Sequence, residues 1–93
     1  MLPLPQYSDI ISAAERLAGK AVVTPLLRND VLDEMTGGQI FLKAENLQRT
    51  GSFKFRGGYN SVSRLPESAK QGGVVACSSG NRAQGGAAAA AMN

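Results

Sequence analysis

Stretches with strand character alternate with stretches of helical periodicity along this sequence, and that alternation restricts the chain to one fold class. Pro3 and Pro5 leave the lead-in irregular. Ser8 can cap a helix running to about Ala18; Ile10, Ala13, Ala14 and Leu17 recur on it at helical spacing, and Gly19 can close it. Ala21-Val22-Val23 is a short extended stretch leading into Thr24-Pro25, where the proline biases Thr24 away from helix. Asn29 or Asp30 can cap a second short helix through Met35, ended by Gly37 and Gly38. Residues 39–45 alternate as a strand. Thr50-Gly51-Ser52 makes a turn, with Ser52 as the cap of a helix over about 53–65, and Pro66 stops it. Gly72-Gly73 opens a strand over 74–77, Ser78-Ser79-Gly80-Asn81 is a loop, and a last helix begins near Arg82.

Strands separated by helices imply an α/β fold with a parallel sheet. Such a sheet lies under helices on both faces and needs several strands. Three strands and an unfinished crossover fall short of that. The 93 residues are therefore expected to be part of a parallel three-layer α/β/α sheet domain, incomplete in this chain. Composition points the same way: 13 residues are alanine and none is tryptophan, which leaves little for a self-sufficient core. The alanine run 87–91 reads as a helix packed close against a sheet.

Several function classes drop out. One cysteine, Cys77, excludes an intrachain disulfide framework and a cysteine-rich zinc site. The absence of histidine excludes a Ser-His-Asp arrangement and any imidazole metal ligand within this chain. No apolar run is long enough to span a membrane, and the N-terminus lacks a signal-peptide pattern, so a cytoplasmic location is expected. The net charge of +3 is mild, and the five cations from Lys43 to Arg64 are interrupted by acids and apolar residues. That is a solvated surface with a local anion site, not a nucleic-acid footprint. Cys77, in an apolar stretch, reads as a small buried hydrophobe.

Two segments carry chemistry. In Ser52-Phe53-Lys54-Phe55-Arg56-Gly57, Lys54 falls in the first turn of a helix, where a cation is disfavoured. Apolar flanks and the neighbouring Arg56 push the same way, toward a neutral amine. A neutral lysine amine is a nucleophile for carbonyls. A solvent-facing lysine on an amphipathic helix is the alternative. A Walker motif fails at both positions flanking Lys54. The second segment, Ser78-Ser79-Gly80-Asn81, joins a strand to a helix. Its backbone N–H groups and hydroxyls suit a carboxylate or phosphate. An ordinary capped junction is the alternative there.

Together, Lys43-Ala-Glu45-Asn-Leu-Gln48-Arg-Thr-Gly-Ser-Phe-Lys-Phe-Arg-Gly57 and Ser78-Ser-Gly-Asn-Arg-Ala-Gln-Gly85 resemble the serine/threonine dehydratases of the pyridoxal-phosphate fold type II, tryptophan synthase β-like, group. The resemblance runs from about Ser8 to Asn93. It implies that residues 1–93 are an N-terminal fragment: the lead-in helix and first strands of the cofactor domain, with a small domain starting near 72–93. It further implies that Lys54 carries pyridoxal 5'-phosphate covalently and serves as proton-transfer base, that Phe53 packs on the cofactor ring, and that Asn81 hydrogen-bonds its phenolic oxygen. Ser78, Ser79 and Gly80, with Asn81 beside them, would receive the substrate carboxylate, and Ser79 matches an acid/base serine of the racemases. Ser52 would lie beside the site. The implied reaction is α,β-elimination from a β-hydroxy amino acid such as threonine or serine, giving a 2-oxo acid and ammonia, in a homo-oligomer. Hydroxyaspartate ammonia-lyase and serine racemase are the variants. Arg82 stands where the family has histidine, and no glycine-rich loop for the cofactor phosphate is present. The isolated chain is therefore expected to be inactive. The competing expectation is a truncated or degenerate product with no catalysis.

Overall fold

The computed structural model describes residues 3–75 and 80–93. In chain order the elements are α1 (Tyr7–Leu17), β1 (Leu26–Arg28), α2 (Asp30–Thr36), β2 (Phe41–Lys43), two short 3₁₀ turns (Glu45–Leu47 and Arg49–Gly51), α3 (Lys54–Ser63), α4 (Glu67–Gln71) and α5 (Asn81–Met92). The chain is α/β in class. No helix among the described residues is long and apolar enough to cross a membrane.

Local chemistry sets these bounds. α1 starts one residue ahead of the expected Ser8 cap, because the carboxylate of Asp9 reaches back to accept the Gln6 N–H at 2.7 Å. A charged acceptor in the first turn satisfies an orphan donor and suits the positive end of the helix. α2 follows the sequence reading: Asn29 Oδ1 accepts the Leu32 N–H at 3.0 Å, and Gly37, at φ 70°, closes the helix. α4 was not foreseen. Pro66, at φ −65°, ends the preceding helix and also occupies the cap position of the next.

β1 and β2 pair antiparallel, with Leu26 opposite Lys43, Leu27 opposite Leu42 and Arg28 opposite Phe41. Strand–helix alternation implied parallel pairing instead. Within the described residues the chain doubles back through α2, which lies between the two strands in sequence. Asp33 of α2 accepts the Ile40 N–H at 2.7 Å and is ion-paired to Arg28. Both bonds, that of Ile40 first, hold the Asp33 carboxyl below its usual range. The extended stretch at Ala21-Val22-Val23 forms no strand. Val22 finds its partners in a side chain: its N–H donates to Gln48 Oε1 at 2.8 Å and its carbonyl accepts Gln48 Nε2 at 2.9 Å. Of the strand expected over 74–77, Val74 and Val75 are described and carry no strand pairing. Ala76 and Cys77 lie outside the described residues.

The core lies between α3 and α5. Phe55, Tyr59 and Val62 share one face of α3, at spacings of four and three, and meet Ala89 of α5. Leu17, Ala21, Ala88 and Met92 pack around them. The rings of Phe55 and Tyr59 are 5.9 Å apart between centroids. Ala88 and Ala89 of α5 thus pack on a helix within this segment, while Ala87 and Ala91 are exposed.

Candidate cofactor site at the start of α3

The approach to α3 is a tight reversal. Thr50 and Gly51 both adopt left-handed backbone, at φ 65° and 79°. They deliver a buried Ser52, whose Oγ accepts the Lys54 N–H at 3.4 Å. Phe53, not Ser52, occupies the cap position, and Lys54 is the first helical residue. The lysine therefore stands at the N-terminal turn, as its sequence context indicated.

Lys54 and Phe53 line a cleft of about 410 Å³ with Gly57, Gly58, Val74 and Gly86. Phe53 is 60% exposed, and the Lys54 ammonium lies 5.0 Å from its ring centroid. The second turn of α5 rests on the first turn of α3. A Cβ built at Gly85 would fall 3.0 Å from the Lys54 carbonyl carbon and 3.1 Å from Phe55 N. Asn81 opens α5 one turn ahead of Gly85, on the same side of that helix. Two helix starts thus meet near the lysine, and the positive ends of both helix dipoles favour an anion. Among the described residues no group of three or more metal-ligating side chains occurs.

A family profile described as "Pyridoxal-phosphate dependent enzyme" matches residues 17–93. The chain belongs to the pyridoxal-phosphate dependent enzymes. The L-threo-3-hydroxyaspartate ammonia-lyase of Pseudomonas sp is 56% identical over 91 residues, 98% of this chain and 28% of that protein. The catabolic L-threonine dehydratase of Escherichia coli strain K12 is 52% identical over 84 residues, 90% of this chain and 26% of that protein. The solved structure of maize serine racemase superposes with a TM-score of 0.87 at 37% identity, covering 92% of this chain and 27% of that one. The chain thus spans about a quarter of the length of these relatives.

The cofactor of this family, pyridoxal 5'-phosphate, is a flat aromatic aldehyde with an anionic group. The cleft fits the first part of that description: a primary amine for the aldehyde, an aromatic face beside it, and glycines where side chains would obstruct a ring. A Cβ at Gly57 or Gly86 would meet nothing within 4 Å, so the cleft is open over both. Phe53, Lys54 and Asn81 are thereby brought to one end of the α3–α5 pair. Gly80 precedes α5 as its cap residue, at φ 145°. Ser78 and Ser79 lie outside the described residues, as does the side chain of Arg82.

One charged side-chain cluster is missed by the sequence reading. Glu45 accepts Arg56 Nε at 2.8 Å and Arg56 Nη2 at 2.9 Å, and takes the Thr24 hydroxyl at 2.6 Å. Arg56 foremost, then Thr24, lowers the Glu45 carboxyl to about 2. The Arg56 charge, expected to bear on Lys54, is therefore compensated by Glu45. A glutamate and a glutamine three residues apart in a short loop, with an arginine two residues past the lysine, was the available signal.

Proposed function

We propose that the full native chain is a pyridoxal-phosphate-dependent ammonia-lyase acting on a β-hydroxy amino acid such as threonine or serine. The observation that carries this reading is the position of Lys54. It opens α3, faces a cleft beside an exposed aromatic ring, and has its peptide pressed against the helix that Asn81 begins. When bound, pyridoxal phosphate supplies the electron sink for the α-carbon. Lys54 would hold the cofactor covalently, and its Nζ would take the α-proton. Phe53 would flank the ring, and Asn81 would hydrogen-bond its phenolic oxygen. Ser78, Ser79 and Gly80 receive the substrate carboxylate, and Ser79 moves the proton on the opposite face in any racemising side reaction. The substrate loses its α-proton and β-hydroxide. Water then displaces ammonia from the dehydrated product and leaves a 2-oxo acid. A cytoplasmic homo-oligomer is the setting that belongs to this reading.

Identity to the Pseudomonas ammonia-lyase supports 3-hydroxyaspartate as a second substrate candidate within the same reaction class. The test is borohydride reduction of the full native chain with pyridoxal phosphate, followed by mass mapping. A reduced phosphopyridoxyl group on Lys54, absent in Lys54→Ala, is expected. Release of 2-oxo acid from threonine, serine and 3-hydroxyaspartate then ranks the substrates. No adduct, or an adduct that survives Lys54→Ala, sinks the reading.

A further inference from the structure

We infer that Gly85, with Gly58, locks the Lys54 peptide to the start of α5, making Gly85 a positioning residue for the reaction proposed above, on which this inference rests. Both glycines lie inside helices, where glycine is disfavoured, and at both a neighbouring backbone stands where a side chain would go. At Gly85 a Cβ would stand 3.0 Å from Lys54 C, 3.1 Å from Lys54 O and 3.1 Å from Phe55 N. At Gly58 a Cβ would stand 3.1 Å from Gly85 C, 3.2 Å from Gly85 O and 3.3 Å from Gly86 N. Every one of these atoms is backbone and none can swing aside as a side chain would. The neighbouring Gly57 and Gly86 have nothing within 4 Å, so the restriction belongs to Gly58 and Gly85.

The consequence is geometric. With no side chain between them, the first turn of α3 and the second turn of α5 move as one body. Asn81, one turn ahead of Gly85, is thereby held at a fixed offset from Lys54. A methyl group at residue 85 must push α5 outward and carry Asn81 with it, without removing any polar group. The shift these contacts require is a few tenths of an ångström, and since misplacement of about 1 Å at a reacting centre costs about 100-fold, it should cost roughly 3- to 10-fold in rate.

The test compares Gly85→Ala with the parent in the full native chain, by two readouts. Amide hydrogen exchange, measured without cofactor, is expected to quicken at least roughly 10-fold at residues 54–56 and to stay unchanged at 31–35. In the loaded enzyme, kcat/KM is expected to fall roughly 3- to 10-fold while borohydride still traps the cofactor on Lys54. Should Gly85→Ala fail to fold, Gly58→Ala, whose clash is softer, is measured in the same way. Because both substitutions push α5 in one direction, their double variant should cost less than the two effects combined. Unchanged exchange at 54–56 overturns the inference, as does unchanged kcat/KM. A parent chain that traps no cofactor refutes the proposed function instead, and exchange at 54–56 still decides whether the two helices are coupled.

Discussion

Glu45 grips Arg56 through both carboxylate oxygens, at 2.8 Å and 2.9 Å. The same carboxylate takes the hydroxyl of Thr24, which is buried. Gln48, also buried, ties Val22 by both its N–H and its carbonyl. Three segments, 22–24, 45–48 and the first turns of α3, are thereby fastened at one point. Lys54 sits two residues from the arginine in that fastening, so its helix is aimed by a charge pair behind the cleft.

Breaking the pair should be costly. Glu45→Ala leaves a guanidinium and a buried hydroxyl without their shared acceptor, a loss of about 2–3 kcal/mol. Arg56→Lys keeps the charge but not the two-pronged geometry, and should cost about half as much. Urea unfolding of the full native chain measures both. A Glu45→Ala loss below about 0.5 kcal/mol would reduce the pair to a solvated surface contact.

The same carboxylate should make the fold acid-sensitive. The Glu45 carboxyl lies at about 2 in the folded chain, against 4.5 as its ordinary value. Between those values the unfolded chain binds a proton that the folded chain does not. The stabilisation is therefore complete above about pH 5 and drains away as pH falls toward 2. Urea midpoints measured from pH 6 to pH 3 should drop more steeply for the parent than for Glu45→Gln. Equal slopes would show that Glu45 does not carry the effect.

Much of this was legible from local signals. Asn29 and Gly37 mark both ends of α2, and Lys54 follows a turn that any reader of the sequence would place before a helix. Pairing direction was not legible, because it depends on Asp33 bonding both Arg28 and Ile40 across the reversal. The Ala21-Val22-Val23 stretch looked like a strand because its backbone needs partners. That those partners are the amide of Gln48, 26 positions away, has no local signature. Glycines within a helix pattern could have signalled the contact of Gly58 with Gly85. Composition says only that something lies close, not what. The serines of the proposed carboxylate loop lie outside the described residues, so their role rests on the resemblance.

Phe53 separates function from stability. The residue is 60% exposed, with its ring beside the Lys54 amine, whereas Phe55, two residues on, is fully buried. Phe53→Ala should leave the urea midpoint within about 0.5 kcal/mol of the parent. Loss of a stacked ring should weaken retention of pyridoxal phosphate by roughly 3- to 10-fold, as an aromatic pair is worth about 0.5–1.5 kcal/mol. Equilibrium dialysis against the cofactor reads this directly. Phe55→Ala should do the reverse and destabilise by about 3–5 kcal/mol. Unaltered cofactor retention in Phe53→Ala would remove the ring from the site.

Thr50 carries two liabilities. It holds φ at 65°, rare for a β-branched residue, and its Oγ1 is buried without a hydrogen-bond partner. Left-handed strain costs about 1–3 kcal/mol and an unmet buried hydroxyl a similar amount. Thr50→Gly removes both, against about 0.5–1 kcal/mol of added unfolded-state entropy and about 0.8 kcal/mol for the lost methyl. The variant should therefore be no less stable than the parent. If the strained turn sets the direction in which Lys54 enters the cleft, freeing it should lower kcat while the urea midpoint holds or rises. A variant that loses more than about 1 kcal/mol would mean that the threonine is anchored by its packing, and that the turn is not strained in the way its backbone angles indicate.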